Sequence, residues 1–186
     1  MDKKAVRSEL LNKRKSVTPK EQELLSQAIC SHILASEAFR KAKVIMGFFA
    51  FLNEPSIDLV LQQGLRGGKI ICVPYVYGKG LMKPVKLLSL DMVALDKYGI
   101  RTPKEPHEYI DAKDIDLVLA SGVGFTEEGA RLGMGAGFYD RFLPYAKNAT
   151  IIGVTYENQI VSQLPLEDTD FKVQGLVTEK SWRNCK

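Results

Sequence analysis

Eleven consecutive residues, Arg131-Leu132-Gly133-Met134-Gly135-Ala136-Gly137-Phe138-Tyr139-Asp140-Arg141, set three alternate glycines between two arginines with an acid beside the second. Glycine lets successive backbone N–H groups turn into one concavity, an arginine grips an oxyanion with two prongs, and an aspartate can hold a metal that bridges phosphates. The residue types therefore point to a phosphate-binding loop whose natural guest is a nucleotide. The spacing G-x-G-x-G matches neither the dinucleotide fingerprint G-x-G-x-x-G nor the P-loop G-x-x-x-x-G-K-[ST], and the protein-kinase signatures are absent. A tight glycine-rich turn with no ligand is the simpler alternative, weakened by the flanking Arg131 and Asp140.

Other residues are candidates by position. Asp140 suits either a metal or the N-terminus of the helix it opens. Asp170, in Leu166-Glu167-Asp168-Thr169-Asp170-Phe171, is a possible second acid for magnesium, with Glu167 and Asp168 competing. Lys3, Lys4 and Arg7 share one side of a first helix, and they matter to the loop only if that helix folds back over it. Glu54 lies just beyond an apolar strand, at the end where open sheets place ligands. His32 and His107 have no partners at ligand spacing, and Trp182 lies in the tail, so each is assigned a structural part.

The elements that must position these groups alternate in period. Asp2 caps a helix to about Lys15, with Val6, Leu10 and Leu11 inward and the basic residues elsewhere. Thr18, Pro19 and Glu21 form a helix-start signal, and that helix runs to about Leu34. Residues 43–49 form an apolar strand, and Ser56 opens an amphipathic helix ending at Gly67-Gly68. Strands are expected at 69–73, 116–120 and 150–155, with a helix over 137–145. Residues 75–107 are expected to be hairpin and mobile loop, with a short alternating piece near 81–87. The implied fold is α/β, a mainly parallel sheet covered by helices.

The chain has 186 residues, 45% of them apolar, which suits one domain over residues 1–186. Its 26 basic and 22 acidic residues give a net charge of +4, which permits an anionic ligand but argues little for nucleic acid. Cys30, Cys72 and Cys185 are odd in number and scattered, so a reducing cytoplasm is expected. The basic start lacks the apolar core of a signal peptide, and the apolar run 44–52 is too short to span a bilayer.

The block Gly122-Val123-Gly124-Phe125, followed by Gly129-Ala130-Arg131 and on through Asp140-Arg141-Phe142-Leu143, resembles the 5-formyltetrahydrofolate cyclo-ligases, also called methenyltetrahydrofolate synthetases. The resemblance covers nearly the whole chain. The N-terminal lysines with Arg7, the Glu54 segment, Gln159 before Leu164-Pro165, and Asp170 before Val177-Thr178-Glu179 support it in matching order. It implies ATP-dependent closure of 5-formyltetrahydrofolate to 5,10-methenyltetrahydrofolate, with magnesium, on a three-layer α/β sandwich with helices on both faces of the sheet. The expected partners are these small molecules alone, with no nucleic acid or membrane, and the expected state is a monomer.

By that resemblance Lys3, Lys4, Arg7, Arg131, Leu132, Gly133, Met134, Gly135, Ala136, Gly137, Phe138 and Tyr139 contact ATP. Phe49 and Glu54 contact the folate, which the segment Met134, Gly135, Ala136, Gly137 and Phe138 also touches. Asp140 and Asp170 hold the metal, and Arg131, Glu54 and Tyr139 serve the chemistry. Several positions depart from the family pattern: Ser121 stands for Pro, Thr126 for Asp, Met134 for an aromatic residue, and Phe138 for Tyr. Ala136 lies where Gly or Lys is frequent, and Arg101-Thr102-Pro103 replaces the usual Glu-Pro. A nucleotide-responsive binding module that keeps the loop without catalysis, an enzyme of sugar phosphates or acyl-CoA, and an RNA-binding protein are the rival classes.

Overall fold

The computed structural model describes residues 2–186. Helix α1 (Lys3–Lys15) starts at Asp2, whose carboxylate accepts the Lys4 and Ala5 N–H groups. Helix α2 (Pro19–Leu34) starts from the reciprocal bonds of Thr18 and Glu21, and the short helix α3 (Glu37–Lys41) from the Ser36 hydroxyl. There follow strand β1 (Val44–Met46), helix α4 (Asp58–Arg66), β2 (Ile70–Gly78), β3 (Leu81–Leu87), β4 (Val93–Leu95), β5 (Arg101–Pro103) and β6 (Leu117–Ala120). The chain ends with β7 (Gly124–Phe125), β8 (Arg131–Leu132), α5 (Phe138–Phe142), β9 (Thr150–Val154), β10 (Gly175–Val177) and β11 (Trp182–Asn184).

The main sheet has seven strands in the order β11-β10-β9-β6-β1-β2-β3. The five inner strands run parallel, and only the edges β11 and β3 are antiparallel. Buried on both faces, the inner strands read as unbroken apolar runs, and the pleat divides each between two cores. Ile45, Ile71, Val73, Leu117, Leu119, Ile152 and Val177 join the core beneath α2 and α4, whereas Met46, Cys72, Val118, Ala120, Ile151 and Leu176 point the other way. On that second face Phe125, Phe142, Leu143 and Ala146 cover the strands. Its cover is therefore the five-residue α5 and irregular chain in place of long helices.

Several expectations change at element ends. The apolar run 43–49 gives only three ladder residues, because Phe48 and Phe49 leave the sheet to line a cavity. Ser56 is not the cap residue of α4: its N–H donates to Ser26 Oγ on α2, its Oγ accepts only a long 3.5 Å bond from the Asp58 N–H, and the helix starts after Ile57, which has no capping side chain. Residues 75–107 are more regular than a mobile loop, because β2 continues past Pro74 to pair with β3, and β4 and β5 form a second hairpin. The helix expected over 137–145 stops at Phe142 and tightens into a 3-10 turn, Leu143–Tyr145; Pro144 has no N–H to continue the α-helical ladder. The glycine loop does not follow β6 directly, since the β7–β8 hairpin intervenes.

Helix α1 lies apart from the two main cores. Leu10, 1% exposed, packs with Val123 and Leu132 beside that hairpin, and buried Gln159 donates through Nε2 to the Leu10 carbonyl. Leu10 is thus the apolar plug that seats α1. Leu10→Ala is expected to cost about 3 kcal/mol through lost burial and the void it leaves, read as a lower midpoint in urea denaturation. An unchanged midpoint would mean that α1 is not seated by this contact.

Candidate functional site

Strand β1 sits between β2, reached by a crossover to one side, and β6, which begins the run to the other side. Such a reversal opens a crevice at the carboxyl ends of the strands, because the chains leaving the two central strands diverge. Residues 47–55 leave β1 there and Ser121-Gly122 leave β6. Within the first segment Leu52 and Asn53 hold φ values of 50° and 60°, a left-handed conformation unfavourable for residues with a Cβ. Surrounding bonds maintain it: Asn53 Nδ2 donates to the Val17 carbonyl at 3.2 Å and Arg14 Nε to the Leu52 carbonyl at 2.9 Å.

The tight turn aims Glu54 inward. Its Oε2 accepts the Phe51 N–H at 3.0 Å, and its side chain is nearly buried. Burial pushes the carboxyl up to about 6, against the pull of Arg14, the Phe51 N–H and the Ser121 hydroxyl. Beside it Phe49 carries the Arg101 guanidinium over its ring at 4.6 Å, and Asp58 holds that guanidinium through two bonds of 2.7 and 3.0 Å.

The glycine loop forms the opposite wall. Two of its carbonyls are taken by arginines: Gly133 accepts from Arg7 Nε at 2.7 Å and Ala136 from Arg141 Nη1 at 2.6 Å. Gly135 and Gly137 have φ values of 107° and 71°, which side chains rarely adopt. Among the described residues, no backbone N–H from Gly133 to Gly137 donates to another part of the chain. A row of uncommitted amides with three arginines close by is an anion cradle. Because α5 has only five residues, these amides contribute more to it than a helix dipole does.

Arg131 stands at the centre of this wall, 5% exposed. Its Nη1 donates to the Ser121 carbonyl at 3.1 Å, Nη2 meets Asp140 Oδ1 at 3.4 Å, and its Nε has no partner. Its guanidinium lies 4.9 Å over the Tyr139 ring. The Tyr139 hydroxyl is sealed from solvent close to Ser121 but meets no partner at hydrogen-bond geometry, and burial pushes its phenol up to about 12. Unpartnered buried groups of this kind are what a bound ligand satisfies.

Asp140 and Asp170 come together although 30 residues separate them in sequence, since the Phe171 N–H donates to Asp140 Oδ1 at 3.1 Å. Asp170 Oδ2 accepts from Lys3 Nζ and the Glu167 N–H, both at 2.7 Å. Burial alone would push the Asp170 carboxyl up, but the Lys3 ammonium and the Glu167 N–H hold it below the usual carboxylate range. Each acid keeps one oxygen with no hydrogen bond. No cluster of three or more His, Cys, Asp or Glu placed to hold a metal occurs among the described residues. Two carboxylate oxygens beside an anion cradle suit magnesium, which keeps water and phosphate in its shell, and not a cation that needs an all-protein cage.

Both walls enclose one cavity of about 1060 Å³. That is the upper end of the range of ligand pockets, which runs to roughly 1,000 Å³. Its lining combines the charged Lys3, Arg7, Arg131, Asp140 and Asp170 with the apolar Phe49, Val76, Met82 and Ile100, and it includes Glu54. Of the residues expected to contact ATP, folate or metal, all but Lys4 border it. Lys4 is exposed on the outer side of α1, away from the cavity wall. Leu132 borders the cavity while remaining 3% exposed and packed on Leu10.

Two groups were missed. Arg14 is 2% exposed, against the expectation that the basic residues of α1 stay wet. Its signal is the series 3, 7, 10, 14, which places Lys3, Arg7, Leu10 and Arg14 on one stripe. Val76, Met82 and Ile100 come from the two hairpins, and nothing local marks them, because their place depends on how the sheet edge folds over the crevice.

Residues 1–179 match the model of the 5-formyltetrahydrofolate cyclo-ligase family. The 5-formyltetrahydrofolate cyclo-ligase of Mus musculus is 26% identical over 196 residues, covering 96% of this chain and 94% of that protein. The Escherichia coli K12 protein of the same name is 26% identical over 176 residues, covering 91% and 97%. Among solved structures, the NMR structure of Aquifex aeolicus 5,10-methenyltetrahydrofolate synthetase aligns with a TM-score of 0.88 at 30% identity, covering 100% of this chain and 94% of that one. With its glycine block, its paired acids and this architecture, the chain belongs to the 5-formyltetrahydrofolate cyclo-ligase family.

Proposed function

We propose that the chain closes 5-formyltetrahydrofolate to 5,10-methenyltetrahydrofolate and splits ATP to ADP and phosphate, with residues 1–186 acting as one domain. One observation supports this above the others: a single cavity is lined both by a loop of uncommitted amides among arginines and by apolar side chains with a nearly buried glutamate. The triphosphate would lie along Gly133, Met134, Gly135, Ala136 and Gly137, flanked by Lys3, Arg7 and Arg131. The pterin would stack against Phe49 and offer its N–H groups to Glu54, with Met134 and Phe138 over its outer side.

A formamide carbon is a poor electrophile and its oxygen a poor leaving group. In this scheme the formyl oxygen forms a bond to the γ-phosphorus as the bridge to ADP breaks. Folate nitrogen 10 then attacks the activated carbon and loses its proton, the carbon–oxygen bond breaks, and phosphate leaves with the former formyl oxygen. Arg131 and the loop amides carry the charge of the moving phosphoryl group, already aimed before the reaction begins. Glu54 orients the pterin, and Tyr139 gives its unpartnered hydroxyl a substrate acceptor. Positioning dominates, since attack geometry alone can supply roughly 7–11 kcal/mol. Asp140 and Asp170 would hold magnesium, which neutralises charge shared between β- and γ-phosphates when bound. On binding, Lys3 would exchange its bond to Asp170 for phosphate. A monomer in a reducing cytoplasm is expected: Cys30, Cys72 and Cys185 are all free, and the scheme uses residues of one copy.

Purified protein given 5-formyltetrahydrofolate, ATP and magnesium is expected to form a product absorbing in the near ultraviolet, and no absorbance rise would refute the scheme. Arg131→Ala should lower kcat by about 100-fold or more with the circular dichroism of the fold retained. Asp140→Asn should need more magnesium for half-maximal rate; an identical metal titration would remove Asp140 as a ligand. With its carboxyl at about 6, Glu54 is ionised above that pH and protonated below it. The folate kcat/KM should therefore fall as pH drops through about 6, and Glu54→Gln should lose that acidic limb. Tyr139→Phe removes a buried unpartnered hydroxyl, so the ligand-free protein should melt no lower, with a gain of up to about 1 kcal/mol.

A further inference from the structure

We propose that Arg14 is a positioning residue for this reaction: its buried guanidinium ties the loop leaving β1 to the loop leaving β6 and holds Glu54 in place as the anion facing the folate. The proposal rests on the cyclo-ligase scheme above. Arg14 does not border the cavity, so it cannot touch either substrate. It donates through Nε to the Leu52 carbonyl at 2.9 Å and through Nη1 to the Gly122 carbonyl at 3.1 Å. Those two carbonyls belong to the two segments that diverge at the crevice. The planar fork has donors in fixed directions, so it sets the gap between the segments as well as joining them.

Leu52 is also one of two adjacent residues held at positive φ, immediately before Glu54. Such a conformation persists where surrounding bonds over-determine it, and Arg14 supplies the bond at Leu52 itself. The same guanidinium approaches Glu54, with Nη1 4.0 Å from Oε1. That is too far for a hydrogen bond, so the pair interacts through its field in a site largely closed to water.

The other groups around Glu54 do not supply this charge. Tyr139 on α5 and Tyr156 after β9 are neutral, burial holding both phenols up at about 12. Ser121 offers only a hydroxyl, and Gln22 on α2 bonds the Glu54 carbonyl instead of its carboxylate. Arg131 is committed to the Ser121 carbonyl and to Asp140, and it is not among the charges acting on Glu54. Burial pushes the Glu54 carboxyl up, and Arg14 is the cation that limits the rise. Burial likewise lowers Arg14, with Glu54 opposing it. Arg14 remains charged throughout the working range because a guanidinium starts so high.

The test uses the full chain with Arg14→Gln and Arg14→Lys, varying folate and ATP separately across the acidic and neutral range. Arg14→Gln removes fork and charge. Its acidic limb in folate kcat/KM should move up by about one pH unit or more, and its folate KM should rise about tenfold or more with the ATP KM changed far less. Arg14→Lys keeps the charge but loses the fork: its limb should stay near the wild-type position while the folate KM still rises. A merely structural role would lower the melting temperature and the active fraction without moving the limb or splitting the two KM values. Wild-type values of limb and folate KM in Arg14→Gln would overturn the proposal. If Arg14→Gln does not fold by circular dichroism, Arg14→Lys decides alone, and an unchanged folate KM there overturns it. A wild-type protein that forms no methenyl product would sink the cyclo-ligase scheme itself, a different result from an active enzyme indifferent to Arg14.

Discussion

Helix α1 carries three cations along one stripe, and each must find an acceptor as the helix packs. Lys3 finds Asp170, Arg7 finds the Gly133 carbonyl, and Arg14 finds the carbonyls of Leu52 and Gly122. These acceptors lie in the late acidic turn, the glycine loop and the two loops at the switch point. One short helix thus holds together segments from the beginning, middle and end of the chain. Leu10 and Gln159 seat the helix, so the polar contacts need only orient it. Discharging a buried guanidinium is costly enough that the loops must come to Arg14, which makes this contact a constraint on geometry as much as a source of stability.

The arginines around the glycine loop have a second consequence. A peptide unit is planar, so a carbonyl turned one way sends the neighbouring N–H the other way. Arg7 and Arg141 fix the carbonyls of Gly133 and Ala136, and the amides between them are left without partners among the described residues. Glycine tolerates the φ values this requires at positions 135 and 137. The same cations raise the local potential toward anions. Shape and charge in the cradle therefore come from one set of contacts, and the acids on its rim, each with one oxygen already bonded, keep the other available.

Much of the scaffold was legible locally. The capping box of Thr18 and Glu21, the Asp2 cap and the apolar runs of the inner strands are signals that act within a few residues, and they place α1, α2, β2, β6 and β9 near their observed positions. The misreadings share a cause. Phe48 and Phe49 continue an apolar run but serve a cavity, Ser56 has a capping side chain whose backbone is claimed by α2, and Pro144 cuts a helix short. In each case a distant partner or a missing donor overrode a local preference.

The sequence by itself determined the membership of the family, the alternation that builds a parallel sheet, and the chemistry available: a glycine loop, flanking arginines and scattered acids. Those follow from residue type and short spacing, which survive without knowledge of where the chain goes. The tertiary structure alone decided that Arg14 is buried while Lys4 stays outside, that Asp140 meets the Asp170 turn, and that residues of two hairpins line the cavity. Each of these depends on which segments diverge at the β1–β6 crevice and which return to it. That is a property of strand order, and strand order is settled by packing both faces of the sheet at once.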